Sequence, residues 1–246
     1  MANFEDFVKQ YPALFKDSII PESWKPLLES VITAQTDCVR TIALVLSCLR
    51  ETDWFPHSDK LWSFTKFCRP EDVKVVIVGK EPSNSHATGL AFSIDIGSGI
   101  YPSTTNILEE VRRDIGDNNL RPFPTDYGNL DHWAKQGVLL LNSALTKSTY
   151  RMHQDIGWDI MLGELIKQLQ QINKNIVFMF WGWDAKFLSS YVEDYDGNKL
   201  DAGHPSPNNT KENFVGCKHF STANGWLVKH DIEPIDWCPV PPTNIS

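Results

Sequence analysis

The strongest pattern in the chain is a continuous apolar, β-branched run, Val73-Lys74-Val75-Val76-Ile77-Val78, which breaks off on Gly79-Lys80-Glu81-Pro82-Ser83. Apolar residues at successive rather than alternate positions mark a strand buried on both faces, as in a parallel sheet. Two further runs repeat it: Gly137-Val138-Leu139-Leu140-Leu141 ends on Asn142, and Ile176-Val177-Phe178-Met179-Phe180-Trp181 ends on Gly182. A shorter polar stretch from Asn198 to Gly203 ends on His204-Pro205-Ser206-Pro207. Other segments carry helical periodicity. Residues 22–50 place Trp24, Leu27, Leu28, Val31 and Ile32 on one face, and the more continuously apolar Ile42 to Leu49 predicts a buried helix. Asp53 to Ser58, with Pro56, reads as a turn. Pro102-Ser103 caps a helix over Thr104 to Ile115, Trp158 to Ile172 forms another starting near Gly157, and Lys218 to His230 forms the last. Strands alternating with helices predict an α/β fold with a parallel sheet covered on both faces.

In open sheets of this kind, ligands bind at the loops leaving the carboxyl ends of the strands. Those loops carry a carboxylate at Glu81, a carboxamide at Asn142 and an imidazole at His204. Each has a plainer reading when taken alone. Glu81 suits a solvated acidic turn, Asn142 a turn cap, and Phe92 the core. His204 resists this more, because it stands between Gly203 and Pro205 in a stiff segment. Three such groups at strand ends together form an active-site pattern.

Composition narrows the setting. The length of 246 residues and a hydrophobic fraction of 41% suit one domain spanning 1–246, with the Pro-rich 238–246 as a loose tail. No apolar run approaches the roughly 20 residues of a membrane span, and the polar, acidic Met1 to Lys9 does not read as a secretory signal. Five cysteines without Cys-x-x-Cys spacing imply reduced thiols, a cytoplasmic or nuclear setting and no structural zinc. The net charge of −8 excludes indiscriminate nucleic-acid binding, though a local patch can still grip phosphates. Lys211, Lys218 and Lys229 fit either such a patch or ordinary solubilising surface.

From Trp24 to Trp237 the chain resembles the family 1 uracil-DNA glycosylases. That family's Gly-Gln-Asp-Pro-Tyr-His corresponds to Gly79-Lys80-Glu81-Pro82-Ser83-Asn84, and its Gly-Leu-x-Phe-Ser is intact as Gly89-Leu90-Ala91-Phe92-Ser93. Trp133 to Asn142, Trp181-Gly182, His204-Pro205-Ser206-Pro207, Gly216 to Ser221 and Ile235-Asp236-Trp237 follow in order. The resemblance implies a three-layer α/β/α sandwich around a four-stranded parallel sheet. It also implies a monomeric, monofunctional DNA glycosylase that flips a pyrimidine nucleotide out of DNA without metal or cofactor. On that reading Glu81 and His204 are catalytic: Glu81 orients water beside the sugar, and His204 donates to the pyrimidine O2. Phe92 stacks on the base and Asn142 reads its edge. Lys80 and Ser83 lie beside the base, while Ser103 and Ser206 hold phosphates. His219, although inside a motif, is assigned a structural place at a helix start.

Several departures fall at this site. Glu81 is one methylene longer than the family's aspartate, and the segment from Pro82 to Gly89 is two residues shorter, which leaves the correspondence of Ser83, Asn84 and His86 open. Lys80 replaces glutamine, adding a cation expected to keep Glu81 ionised. Ser83 replaces the tyrosine that in the family crowds C5 of the base. Asn208 replaces the leucine that wedges into the duplex, and Trp183, which replaces a serine, is either a substitute wedge or a partly exposed aromatic. The expectation is therefore a glycosylase opened at C5 for thymine or a hydroxymethylated or glycosylated pyrimidine. The alternatives are an ordinary uracil-DNA glycosylase and a catalytically silent DNA- or partner-binding module.

Overall fold

The computed structural model describes residues 3–116, 126–148, 150, 153–209 and 212–240. In chain order the main elements are α1 (Phe4–Gln10), α2 (Pro12–Phe15), α3 (Lys25–Ala34), α4 (Thr36–Ser47), β1 (Trp54–Phe55), β2 (Val75–Gly79), α5 (Pro102–Ile115), α6 (Asp131–Ala134), β3 (Val138–Asn142), β4 (Lys147–Ser148), α7 (Trp158–Ile172), β5 (Val177–Trp181), α8 (Trp183–Leu188), β6 (Lys199–Ala202) and α9 (His219–Lys229). β2, β3, β5 and β6 make a parallel four-stranded sheet in the order β3-β2-β5-β6, as the sequence pattern predicts. Every residue of β2, β3 and β5 is buried, whereas the shorter β6 at the edge is mostly not.

The layers follow from this strand order. The connection from β2 to β3 carries α5, and the connection from β3 back across β2 to β5 carries α7. Right-handed crossovers in opposite directions along a sheet put their helices on opposite faces. Accordingly α7 packs with α3, α4 and α8, while α5 packs with α9. The buried Glu110 ties the second pair together: it meets Arg113 at 2.7 Å and accepts from the backbone N–H of Gly216 at 2.8 Å. Buried tryptophans fill the space between layers, and four of them satisfy their indole N–H within the fold as follows. Trp24 donates to the Cys68 carbonyl, Trp62 to Leu14, Trp133 to Trp237 and Trp158 to Thr146 Oγ1.

Four local expectations are corrected. Residues 22–50 form two helices that break at Gln35, which leaves helical geometry at φ −123° and ψ 37°. The second helix is not buried throughout: Val39, Ile42, Ala43 and Leu46 face inward, but Leu44 is 64% exposed. An apolar stretch longer than one helical face must put some members outside. Around Pro56 the turn is preceded by β1, which pairs antiparallel with β4. Finally, Ser103 lies inside α5 instead of capping it; Tyr101 is the cap residue, and no side chain closes that end. Lys211 and the tail from 241 onward lie outside the described residues. Among the described residues no helix is long and apolar enough to cross a membrane.

Candidate active site

Strand register brings the sequence-predicted groups together. Gly79 pairs with Asn142 across β2 and β3, and Trp181 pairs with Ala202 across β5 and β6. Glu81, Asn142, Gly182 and His204 therefore leave the same edge of the sheet. The floor there is crowded. A Cβ on Gly79 would stand 2.9 Å from Asn142 Oδ1 and 2.9 Å from Phe92 Cζ, so only glycine lets these two side chains meet over the strand end. Phe92 itself has a φ of 64°, an uncommon conformation for a bulky residue. Thr104 Oγ1 pins its carbonyl at 2.5 Å, and its ring rests against Trp181 at 5.5 Å and His204 at 5.9 Å. That turn brings the ring to the cavity wall while its other side still packs against the core, so Phe92 shares both of its readings.

The cavity measures about 40 Å³, and its wall includes Lys80, Glu81, Ser83, Phe92, Tyr101, Ser103, Asn142 and His204. Asn142 is buried, and its carboxamide takes no hydrogen bond from the described residues, leaving donor and acceptor both available. Glu81 Oε1 is 2.9 Å from Lys147 Nζ. Its other oxygen, Oε2, is buried and receives no hydrogen bond from any described residue. Leaving a buried carboxylate oxygen without a donor costs about 1–3 kcal/mol. Lys80 does not serve Glu81 as expected. Its Nζ lies 3.4 Å from Asp184 Oδ2, and the cation that pairs with Glu81 is Lys147.

His204 is held in one tautomer. The backbone N–H of Ser206 donates to its Nδ1 at 3.0 Å, so in the neutral ring the proton resides on Nε2. Burial, and then the nearby Lys80 ammonium, push its pKa below the ordinary imidazole value, against a smaller opposing pull from Asp184. The backbone around it is clamped. Asn209 Nδ2 donates to the His204 carbonyl at 2.9 Å and Asn106 Nδ2 to that of Pro205 at 2.7 Å. Gly182 (φ +93°) lets β5 pass close beneath, since a Cβ there would sit 2.8 Å from that of His204. The result is a neutral, preorganised N–H donor on the cavity wall.

Lys80 and His204 also border a second, wider cavity of about 440 Å³, shared with Trp183, Asp184, Ser206 and Asn208. Trp183 begins α8 and is 84% exposed, while Asn208 donates its backbone N–H to Ser206 Oγ at 3.2 Å. All ten candidate residues thus line one of two adjoining cavities. Asn84 and His86 line neither, and Asn84 instead accepts from the Tyr101 hydroxyl at 2.8 Å. Of the three lysines weighed as a patch, Lys229 pairs with Asp196 at 2.9 Å, Lys218 precedes α9, and Lys211 lies outside the described residues. His219 is structural, its Nδ1 accepting from Trp181 Nε1 at 3.0 Å. A larger cleft of about 690 Å³ lies near Lys74 and Gly137, at the amino ends of the strands. It is the wrong end of a parallel sheet for chemistry.

Sequence reasoning missed Lys147 and Tyr101. Lys147 follows β3 by a few residues as a lone cation after Ala144-Leu145-Thr146, a placement that signals a buried partner only in hindsight. Tyr101 immediately precedes Pro102-Ser103, already singled out, but nothing in its spacing indicates where the ring turns.

The geometry agrees with what the chain resembles. The family model described as Uracil DNA glycosylase superfamily matches residues 65–228. The chain is 35% identical over 231 residues to the uracil-DNA glycosylase of Alcelaphine herpesvirus 1, covering 90% of each chain. It is 36% identical over 233 residues to that of Epstein-Barr virus, covering 89% of this chain and 88% of the other. With the uracil-DNA glycosylase of Francisella philomiragia the identity is 37% over 187 residues, covering 74% and 84%. Among solved structures, the crystal structure of mimivirus uracil-DNA glycosylase superposes with a TM-score of 0.75 at 22% identity, covering 94% of this chain and 92% of that one, a likeness of fold. With a fold, a set of strand-end groups and relatives that agree, the chain belongs to the uracil-DNA glycosylase superfamily and is a DNA glycosylase of that type.

Proposed function

We propose that this protein releases uracil from DNA, leaving an abasic site. The observation that carries the reading is the convergence, on one narrow cavity, of a neutral His204 Nε2–H, a free Asn142 carboxamide and the orphaned Oε2 of Glu81. Breaking the bond between C1′ and N1 sends its electron pair to the base and leaves cationic character on the sugar. Two opposite charges grow, and each has a fixed partner. His204 donates to the pyrimidine O2 as negative charge collects there. Glu81 stabilises the sugar cation and orients the water whose oxygen bonds to C1′, taking up the proton that water loses. Phe92 stacks on the flipped base, a contact of about 1–3 kcal/mol, while Asn142 reads its edge. Ser103 in the first turn of α5 and Ser206 beside His204 hold phosphates on either side. Trp183 occupies the space vacated in the duplex, a task to which the polar Asn208 is poorly suited.

The wider expectation of a pyrimidine enlarged at C5 finds less support. It rested on Ser83 standing where the family has tyrosine, but the cavity is small, and a phenol, that of Tyr101, does form part of its wall. The relatives, moreover, bear the name uracil-DNA glycosylase. The test is single-turnover incubation with oligonucleotides carrying one uracil, followed by alkaline cleavage of abasic sites. Strand breakage at the uracil is expected from single-stranded and duplex substrates, and intact strands after prolonged incubation would overturn the reading.

A further inference from the structure

The chain lacks a ring at position 83, yet the cavity beside it is narrow. The wall at that point is shared by Pro82, Ser83 and Ala87 from the loop after β2 and by Tyr101 from the segment entering α5. The Tyr101 hydroxyl donates to Asn84 Oδ1 at 2.8 Å, one residue beyond Ser83. The same Oδ1 accepts the His86 backbone N–H at 2.9 Å, so the anchor is itself locked into the turn. Tyr101 thus spans from the helix entrance to the short loop with both ends of its side chain fixed. Its phenol is half-buried, and burial pushes it up to about 12, which keeps the hydroxyl a donor.

The orientation of a bound pyrimidine tells what this ring would touch. Asn142 and the rim of Phe92 meet over Gly79 at the floor, so the hydrogen-bonding edge of a base stacked on Phe92 points inward to Asn142. In a six-membered pyrimidine C6 lies opposite N3 and C5 opposite C2, so the C5–C6 edge is the one turned away from groups that hold N3 and O2. That edge is taken to face Pro82, Ser83, Ala87 and Tyr101, the cavity-lining residues that are given no hydrogen bond to the base. A serine contributes only Cβ and Oγ to this wall, too little to exclude a methyl group. A fixed phenol suffices, because overlap with a close-packed ring is not relieved by small shifts.

We propose that Tyr101, tethered by Asn84, is the specificity-determining residue that excludes pyrimidines bearing a C5 substituent. The inference rests on the uracil reading above and assigns its size limit to one side chain. Single-turnover release is measured from single-stranded oligonucleotides containing uracil, thymine or 5-hydroxymethyluracil, with wild type, Tyr101→Ala and Asn84→Ala. Wild type is expected to release uracil alone. Tyr101→Ala should raise the thymine-to-uracil rate ratio at least tenfold, whatever happens to the uracil rate itself. Asn84→Ala, which unties the ring but leaves it in place, should raise that ratio by a smaller factor and serves as the test should Tyr101→Ala not fold. An unchanged ratio in the folded variants, or release of thymine at a comparable rate by wild type, would overturn the role of Tyr101 while leaving the enzyme a uracil glycosylase. Absence of uracil release by wild type would instead remove the underlying reading.

Discussion

Lys147 offers the sharpest test of how Glu81 is made to work. Its Nζ stands 2.9 Å from Glu81 Oε1, with the carboxylate side chain 13% exposed and the lysine 35% exposed. A hydrogen bond to a charged group contributes about 1.5–3 kcal/mol when protected, whereas exposed ion pairs contribute roughly 0–1 kcal/mol. With one partner buried and the other a third open, the coupling should lie near 1–2 kcal/mol. At about 1.4 kcal/mol per tenfold, Lys147→Met is expected to slow single-turnover uracil release roughly 5- to 30-fold. Methionine keeps the unbranched stem that lies on the short β1–β4 ribbon and removes only the charge. The informative measurement is the double-mutant cycle with Glu81→Gln. If Lys147 acts by orienting Glu81, its removal costs little once the carboxylate is already gone. A loss of the same size in both backgrounds would refute this. So would a shallower salt dependence of binding, since both outcomes make Lys147 a phosphate contact.

Other consequences follow from the same geometry. His204→Ala removes the Nε2–H donor proposed to meet O2, and a loss of about 10²–10³-fold in single-turnover rate with little change in DNA binding is expected; unchanged turnover would take His204 out of the chemistry. Trp183→Ala should reduce release from duplex DNA by about 5-fold or more while sparing single strands, and equal losses on both would assign the ring to general DNA contact. His219 is held neutral, with burial as the main cause, at a pKa of about 4, against about 6.5 when unfolded. The unfolded chain therefore takes up this proton first as pH falls, and stability at neutral pH is lost between about pH 6.5 and pH 4 by up to about 3 kcal/mol. Urea titrations across that window should show the slope in wild type and a flatter one in His219→Gln.

How much of this could be read from the sequence depends on the range of the interactions involved. The sheet was legible because β2, β3 and β5 are buried on both faces, and burial on both faces writes itself as an unbroken apolar run. The strand-end groups were legible for a related reason: in a parallel sheet the topology alone brings Glu81, Asn142 and His204 to one edge. The two helices within residues 22–50 were less so, because one apolar period runs through Gln35 without announcing a change of axis. What could not be read was which charge meets which. Lys80 adjoins Glu81 in sequence but pairs with Asp184, since successive side chains leaving a strand point in opposite directions. The cation that reaches Glu81 comes from Lys147, far along the chain.

The same logic accounts for the departures around the site as a set of compensations. A carboxylate one methylene longer reaches further, and Lys147 meets its outer oxygen while Oε2 stays free in the cavity wall. On the proposal above, the ring that Ser83 lacks is supplied by Tyr101, which lines the same wall and is tied to Asn84 of the loop after β2. The polar Asn208 gives the second cavity no apolar tip of its own, and the exposed Trp183 lines the same cavity. In each case the residue that fits the task lies elsewhere in the chain from the one that lost it. Such pairs make a specific demand: restoring the family residue alone should not restore the family behaviour. Ser83→Tyr in the presence of Tyr101 places two rings against one wall of a cavity of about 40 Å³, and overpacking costs about 1–3 kcal/mol. Uracil release should therefore fall in Ser83→Tyr and recover when Tyr101→Ala is added. Full activity in the single variant would mean that the two positions do not face the same space.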